Sequence, residues 1–520
     1  MDRLQLLQTL SDVPEWDVII IGGGATGLGI AMDAATRNYK TLLVEQADFA
    51  KGTSSKATKL VHGGVRYMAQ GDIGLVREAC HERGLLLKNA PHLTKNETFV
   101  IPNYSWFNNI KYTIGLKFYD MLAGRLSLGP SRYINRQKTI AALPTIKQEG
   151  LKGGVVYHDG QFDDSRLALN IAQTAIEYGA TVLNYMKVEA LIKDNNKKVC
   201  GIISKDIETG KTYKATGKVV INATGVYVDN VLQMDRPDAP HMVKPSQGVH
   251  ITLDRSFLPG ENALMIPETD DGRVLFAVPW HNKLIVGTTD TLRDHPELEP
   301  HALEQEISFI LSTAGKYLVR KPQRSDVLAV FAGLRPLAAP KQDGAKTKEI
   351  SRSHKIIVSE SGLITITGGK WTTFRRMAQD TLQKAIETGR LPNKACVTEQ
   401  LHIHGYTTGS NLMDPLRFYG TDIDGIKALT EASPTLAAPI ATGYPYTKAM
   451  VVWAVRNEYA RRVEDVLGRR LRLLFLDVHA ALEAAPVVAG IVAEETGRPA
   501  SWVQEELNDF TILAKGYTLN

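Results

Sequence analysis

WDVIIIGGGATGLGIAMDAATRNYKTLLVEQ, residues 16–46, decides the fold. "DVIII" is a short β-branched run of the kind buried in a parallel sheet. Gly22, Gly24 and Gly27 follow it in the spacing GxGxxG, "LGIAMDAATR" has the composition of a helix, and "KTLLVE" is a second strand. Glu45 closes that strand about 20 residues after the glycines, where a dinucleotide-binding βαβ unit places its acid. Each part has a job. Gly22 permits the tight turn, Gly24 lets the backbone approach a pyrophosphate, and Gly27 lets helix and strand pack closely. The helix start, Ala25 and Thr26 included, offers free N–H groups and partial positive charge to the phosphates. Glu45 can accept hydrogen bonds from an adenosine ribose. A ligand-free glycine turn would not need the strand, helix and acid together.

The motif alone does not choose between NAD and FAD. A nicotinamide domain continues into further βα units. Here the chain enters SSKATKLVHGGVRYM, residues 54–68, a polar loop punctuated by glycine. Such a loop suits an extended FAD, gripped along its pyrophosphate, ribityl chain and ring.

Composition bounds the rest. A chain of 520 residues exceeds one compact core, so two or three domains are expected. The net charge of +5 fits an anionic substrate or membrane surface and is too small to argue for nucleic acid. Cys80, Cys200 and Cys396 are far apart and form no CxxC, so neither a disulfide framework nor a cysteine metal site is expected; a reducing compartment is. The N-terminus lacks the pattern of a secretory signal, and no run of about 18 apolar residues suggests a membrane-spanning helix.

With these pieces in view, the sequence resembles the FAD-dependent glycerol-3-phosphate dehydrogenases, within the flavoenzymes that include D-amino acid oxidase and glycine oxidase. The similarity runs from about Asp17 to about Ala378. It is carried, beyond residues 21–37 and 53–68, by FDDSRL (162–167), INATG (221–225), VPWHNKLIVGTTD (278–290), FAGLRPL (331–337) and GGKWTTFRRMA (368–378). Two departures stand out: Asn38 where the family usually has Gly, and Phe374 where it usually has Tyr. The resemblance implies an α/β chain with a Rossmann-like FAD-binding domain, an interleaved antiparallel-sheet substrate domain and a C-terminal helical cap. The flavoenzyme region would span 1–404, its FAD domain assembled from about 15–90, 150–225 and 330–390, with the helical domain at 405–520. "KVVINATG" and "GLITITGG" are the strands expected to return to the FAD sheet, and "VLFAVPWHNKLIVGTTD" is a hairpin for the second sheet, with His281 and Asn282 at its turn.

The resemblance also implies a site. Its cofactor-binding set is Gly22, Gly24, Ala25, Thr26, Gly27, Glu45, Thr53, Ser54, Ser55, Lys59, Leu60 and His62, then Gly63, Gly64, Val188, Ala223, Thr224, Gly225, Gly333, Gly369, Lys370, Trp371 and Thr372. Ser54 and Ser55 can hydrogen-bond the phosphates or ribityl chain, and Gly63 and Gly64 let backbone pass near the flavin ring. The FAD is expected to be non-covalent, with His62 beside the ring or an ordinary loop histidine. Arg66 is expected to bind the substrate phosphate, with Tyr67 beside it. Arg335 would polarise the substrate C2 oxygen; its guanidinium stays protonated and cannot be the base. Lys370 opens a helix, where a cation opposes the macrodipole, and this oddity favours a role near flavin N1. His250 is either a packed strand histidine or the base that takes the C2 hydroxyl proton. No metal is expected. The reaction implied converts sn-glycerol 3-phosphate to dihydroxyacetone phosphate by hydride transfer to flavin N5, in glycerol catabolism, with electrons leaving to a membrane quinone. The rivals are a same-fold oxidase using O2 on glycerol 3-phosphate, an amine or an amino acid, and a non-catalytic flavin-binding protein.

Two segments bear on partners. In WFNNIKYTIGLKFYDMLAGRLSL (106–128), Phe107, Ile110, Ile114, Phe118, Met121 and Leu122 share one helical stripe, with Lys111, Lys117 and Arg125 near its border. The stripe suits either a membrane interface or a packed core helix. With its membrane quinone acceptor, the resemblance implies a cytoplasmic location, peripheral on the inner face of the cytoplasmic membrane; a homodimer is compatible with the sequence. Residues 448–475 are expected to be helical, with Arg456, Arg461, Arg462, Arg469, Arg470 and Arg472 mostly on a solvated face, where some could meet lipid phosphates or acidic partners. "AAPKQDGAKTKEIS" (338–351) is the candidate mobile loop.

Overall fold

The computed structural model describes residues 3–64, 72–269, 272–338, 353–409, 411 and 414–519. Residues 339–351 of the candidate loop lie outside them. The first sheet has eight strands. Trp16–Ile21 pairs in parallel with Thr41–Val44 on one side and Thr212–Asn222 on the other, and Ile364–Thr367 joins Thr212–Asn222, also in parallel. Thr181–Leu183 extends the sheet beyond Thr41–Val44. Val18, Ile19 and Ile20 are fully buried because both faces are covered. On one face the helices Ala25–Thr36, Asp164–Glu177 and Phe374–Glu387 form a core with Val18, Ile20, Leu43 and Ile221. On the other, Leu7 and Leu10 of the first helix meet Ile19, Leu42 and Val220. Asn38 sits just past the end of Ala25–Thr36 at φ +57, a left-handed position that glycine fills without strain and asparagine tolerates. This accounts for the departure at that residue.

The second sheet has ten strands and is largely antiparallel. Leu275–Trp280 and Lys283–Gly287 form the expected hairpin, and His281 and Asn282 turn it with φ of +44 and +58. Three strands within stretches expected in the FAD domain belong here instead, the short Leu60–Val61, which pairs with Gly160 and Gln161, among them. Gly153–Phe162 pairs along its whole length with Thr94–Asn103, and Val327–Ala338 pairs with Val243–Asp254. Their partners, not their neighbours in sequence, fix their sheet.

The C-terminal helices Ile423–Ala432, Lys448–Asn457, Val478–Thr496 and Ala500–Lys515 share a core with Trp280, Ile285, Ala329 and Phe331 of the second sheet. The stretch 448–475 is not one solvated helix. It breaks at Tyr459 and Arg472, both at positive φ, and winds as a π-helix over Asp465–Arg470. Arg469, Arg470 and Arg472 are buried. Arg469 and Arg470 both grip Asp48, on the loop after Thr41–Val44, and Arg472 reaches Asp164 at 2.9 Å. Arg461 pairs with Glu208 at 2.9 Å. The arginines thus tie the helical domain to the first sheet.

Candidate active site

Three turns meet at the carboxyl ends of the parallel strands, where open α/β sheets bind ligands. Gly22, residues 24–26, 223–227 and 368–371 line one cavity with Val44–Gln46, Ala50–Ser54 and Met186–Val188, and Gly27 packs behind it. Gly22 has φ +113, and a Cβ there would stand 2.7 Å from the Ala223 carbonyl oxygen; at Gly27 it would stand 1.9 Å from the Gly22 oxygen. At Gly24 an added Cβ meets only Ser54 Oγ, at 3.2 Å, so that side faces the cavity. Ser54 Oγ accepts from Ala25 N at 2.9 Å, and its carbonyl accepts from Trp371 Nε1 at 2.8 Å. The Glu45 carboxylate accepts from Gly23 N at 2.6 Å and Ala47 N at 2.9 Å. Burial pushes its pKa up, against the pull of those donors. Strand-end glycines, a helix N-terminus and a buried acid at the far end fit an adenine dinucleotide.

A second cavity adjoins the first. Thr53, Gly368, Gly369, Lys370, Trp371 and Pro336 line both. Its floor is one face of the second sheet, where Gly248, His250, Gly333 and Arg335 alternate on Val243–Asp254 and Val327–Ala338. The loop 53–62 lies across that face. A Cβ at Gly333 would stand 2.7 Å from Lys56 Cβ, and one at Gly248 would stand 2.3 Å from the Arg335 guanidinium. Arg335 donates to Thr288 Oγ1 at 3.0 Å and to the Thr289 carbonyl at 3.2 Å. His250 is 2% exposed and stacks on Phe331 at 5.0 Å. Burial, and then Arg335 and Lys59, hold its imidazole well below the usual histidine range, so it is neutral near pH 7.

Most of the expected residues line these cavities: Gly22, Gly24, Ala25, Thr26, Glu45, Thr53, Ser54, Val188, Ala223, Thr224 and Gly225 the first, Leu60, His62, His250, Gly333, Arg335 and Thr372 the second. Others do not. Lys59 donates to Asp164 at 2.7 Å and to the Ser55 carbonyl, beneath the loop, and burial lowers its pKa to about 7. Ser55 is buried and lines neither cavity. At Gly63 an added Cβ would meet Cys80 Sγ and Tyr119 Oη, so the helices behind it impose the glycine; its N–H donates to Tyr119 Oη at 2.9 Å. Gly64, at φ +84, lines neither cavity. Arg66 and Tyr67 lie outside the described residues.

Sequence reasoning missed Lys56, Thr58, Phe276 and the Thr288–Thr289 pair. Lys56 and Thr58 stood inside a quoted motif, but nothing in their spacing marked them as facing inward.

The helix Trp106–Ala123 packs through Leu116, Tyr119 and Ala123, while Leu122 is half-buried. The rest of the stripe faces outward: Phe107 is 72%, Ile114 65% and Met121 65% exposed, with Trp106, Ile110 and Phe118 exposed beside them. Among the described residues no helix is long and apolar enough to cross a membrane.

Residues 17–375 match the FAD dependent oxidoreductase family, and residues 363–502 match the C-terminal domain of alpha-glycerophosphate oxidase. The mitochondrial glycerol-3-phosphate dehydrogenase of Homo sapiens is 39% identical over 535 residues, covering 96% of this chain and 73% of that protein. Its counterpart in Arabidopsis thaliana is 40% identical over 534 residues, covering 94% and 84%. The structure of the glycerol-3-phosphate dehydrogenase from Bacillus halodurans complexed with FAD superposes with a TM-score of 0.81 at 30% identity, over 99% of this chain and 97% of that one. An L-alpha-glycerophosphate oxidase from Mycoplasma pneumoniae shares the fold, at a TM-score of 0.57 and 16% identity, over 71% of this chain and 94% of that one.

Proposed function

The chain belongs to the FAD-dependent glycerol-3-phosphate dehydrogenases, and we propose that it oxidises sn-glycerol 3-phosphate to dihydroxyacetone phosphate and passes the electrons to a membrane quinone. FAD is its cofactor. The observation that carries the reading is the continuity of the dinucleotide cavity, past Lys370, into one bearing His250 and Arg335. When bound, FAD supplies the hydride acceptor; it is held without a covalent bond. The side chains do the rest. Arg335, its fork fixed by Thr288 and Thr289, faces the substrate C2 oxygen and favours the charge that develops there. Lys370, at the start of 371–373, sets positive charge where the two cavities meet. Arg66 and Tyr67 take the phosphate end. His250 is neutral at physiological pH and accepts the C2 hydroxyl proton.

The acceptor side rests on the helix Trp106–Ala123. A row of exposed Trp, Phe, Ile and Met residues, with Lys111 and Lys117 alongside, is the composition of an interfacial helix. It supports peripheral attachment to the inner face of the cytoplasmic membrane, where a quinone is available, in a route of glycerol catabolism.

Anaerobic reduction, followed by addition of a quinone or of O2 in separate samples, tests both halves. Glycerol 3-phosphate should bleach the flavin bands of the purified protein, and a short-chain quinone should restore them. Bleaching by glycine or D-amino acids instead would overturn the substrate; reoxidation by O2 alone would overturn the acceptor.

A further inference from the structure

The His250 ring is walled in. Phe331 stacks on its face at 5.0 Å, and Gly287 is so close that a Cβ there would stand 2.3 Å from His250 Cδ2. Nδ1 is buried with no hydrogen-bond partner among the described residues. Nε2 meets the Thr58 hydroxyl, Oγ1 to Nε2 2.9 Å. Thr58 lines the second cavity and is half-buried, whereas His250 is 2% exposed. His250 also lines this cavity, but its Nδ1 is buried and its Nε2 is engaged by Thr58 Oγ1, so the hydroxyl that Nε2 meets belongs to Thr58, on a loop pinned by the Lys59–Asp164 pair.

We infer that Thr58 is a catalytic residue that relays the substrate proton to His250. The inference rests on the proposed oxidation of a secondary alcohol at this site. The C2 hydroxyl donates to Thr58 Oγ1 while Thr58 donates its own hydrogen to Nε2. The C2–O–H bond breaks as a new O–H bond forms on Thr58, and the old Thr58 O–H bond breaks as N–H forms on His250. The C2 hydrogen leaves with its electron pair to the oxidised flavin, and C2 becomes a carbonyl. One proton and one hydride leave the alcohol, and Thr58 ends unchanged. A hydroxyl can do this because it donates and accepts at the same atom. A valine of the same shape cannot.

The test uses the FAD-loaded protein, mixed anaerobically with glycerol 3-phosphate in stopped flow. Thr58→Val should slow flavin reduction at saturating substrate about 100-fold, the lower range for loss of a general acid–base group. Dihydroxyacetone phosphate, titrated by the flavin spectrum, should bind within about twofold of wild type, since the lost interaction serves the transition state and not ground-state binding. Thr58→Ser should recover most of the rate. In wild type, the reduction rate across mixtures of H2O and D2O should bow below a straight line, as two hydrogens in flight require. A straight line, or a Thr58→Val protein reduced at the wild-type rate, overturns the relay while leaving the oxidation intact. A wild-type protein that glycerol 3-phosphate does not reduce overturns the underlying reading instead. The isotope measurement needs no variant, so it decides even if Thr58→Val fails to fold.

Discussion

The cavity that runs past Gly22 and Glu45 is shaped by backbone: strand-end glycines, a helix start and N–H groups from three turns. The adjoining cavity is shaped by side chains, with His250, Phe276 and Arg335 on a sheet and Lys56 and Thr58 on a loop nearly 200 residues before His250 in the chain. In the first, an added Cβ at Gly22 or Gly27 would collide with backbone. In the second, the chemistry rests on the functional groups of His250, Arg335 and Thr58. A dinucleotide presents phosphates that any correctly aimed N–H can meet, whereas the small polyol is distinguished by a few charged and hydroxyl groups in fixed places.

The contrast would break most severely if the helical C-terminal domain were dispensable to the cofactor side. Asp48 lies just before Ala50–Ser54 of the first cavity, and Arg469 and Arg470 enclose it. Arg470→Met should cost about 3–5 kcal/mol by leaving Asp48 under-compensated in the interior. Thermal unfolding and FAD release should then shift together. A Tm unchanged from wild type would mean that Arg469 alone holds the seam.

The contrast sharpens with a pair of variants. Arg335→Met should lower turnover about 10²–10³-fold, or about 2.7–4 kcal/mol of transition-state stabilisation, as for removal of an oxyanion donor. FAD content, read from the absorbance ratio, should stay at the wild-type level. Gly27→Ala should do the reverse. Its Cβ meets the Gly22 oxygen at 1.9 Å, and overpacking of this kind typically costs about 1–3 kcal/mol. The protein should lose FAD first and activity only in consequence, so excess FAD should restore part of the rate. Equal losses of FAD in the two variants would remove the distinction between the cavities.

The same division decides what the sequence could reveal. Gly22, Gly24, Gly27 and Glu45 are close in the chain, and their spacing alone implies their geometry. The hairpin at His281–Asn282 was legible for the same reason: alternation and a turn are local. Lys59 was placed with the cofactor because its neighbours belong there, but its direction depends on Asp164, over 100 residues away. The arginines after Lys448 looked like a solvated stripe because helical periodicity was assumed across Tyr459 and Arg472, where the backbone turns to positive φ. Asp164 stands in FDDSRL, but nothing in the sequence pairs it, or Asp48, with those arginines. The apolar stripe of 106–123 was visible as a stripe. Which way it faced depended on Tyr119 and Leu116 taking the inner side.

The seam between the domains also has a titratable contact, of smaller effect. His404 Nε2 meets Asp422 at 3.0 Å, and Nδ1 meets Glu177 at the end of the helix Asp164–Glu177. Burial works against the charged ring, but the two carboxylates outweigh it and raise its pKa to about 9. The unfolded value is near 6.5. Between these pH values the folded chain binds more protons than the unfolded one. The stabilisation is therefore complete below about pH 6.5 and is lost as pH rises through about 9. His404→Asn should lower stability by about 1 kcal/mol or less at pH 6, because Glu177 is half exposed and such pairs are screened. The difference from wild type should close by pH 10, and flavin reduction should be unaffected throughout. A gap between variant and wild type that stays constant from pH 6 to pH 10 would show that His404 contributes by packing, and that this seam, unlike the Asp48 cluster, owes nothing to charge.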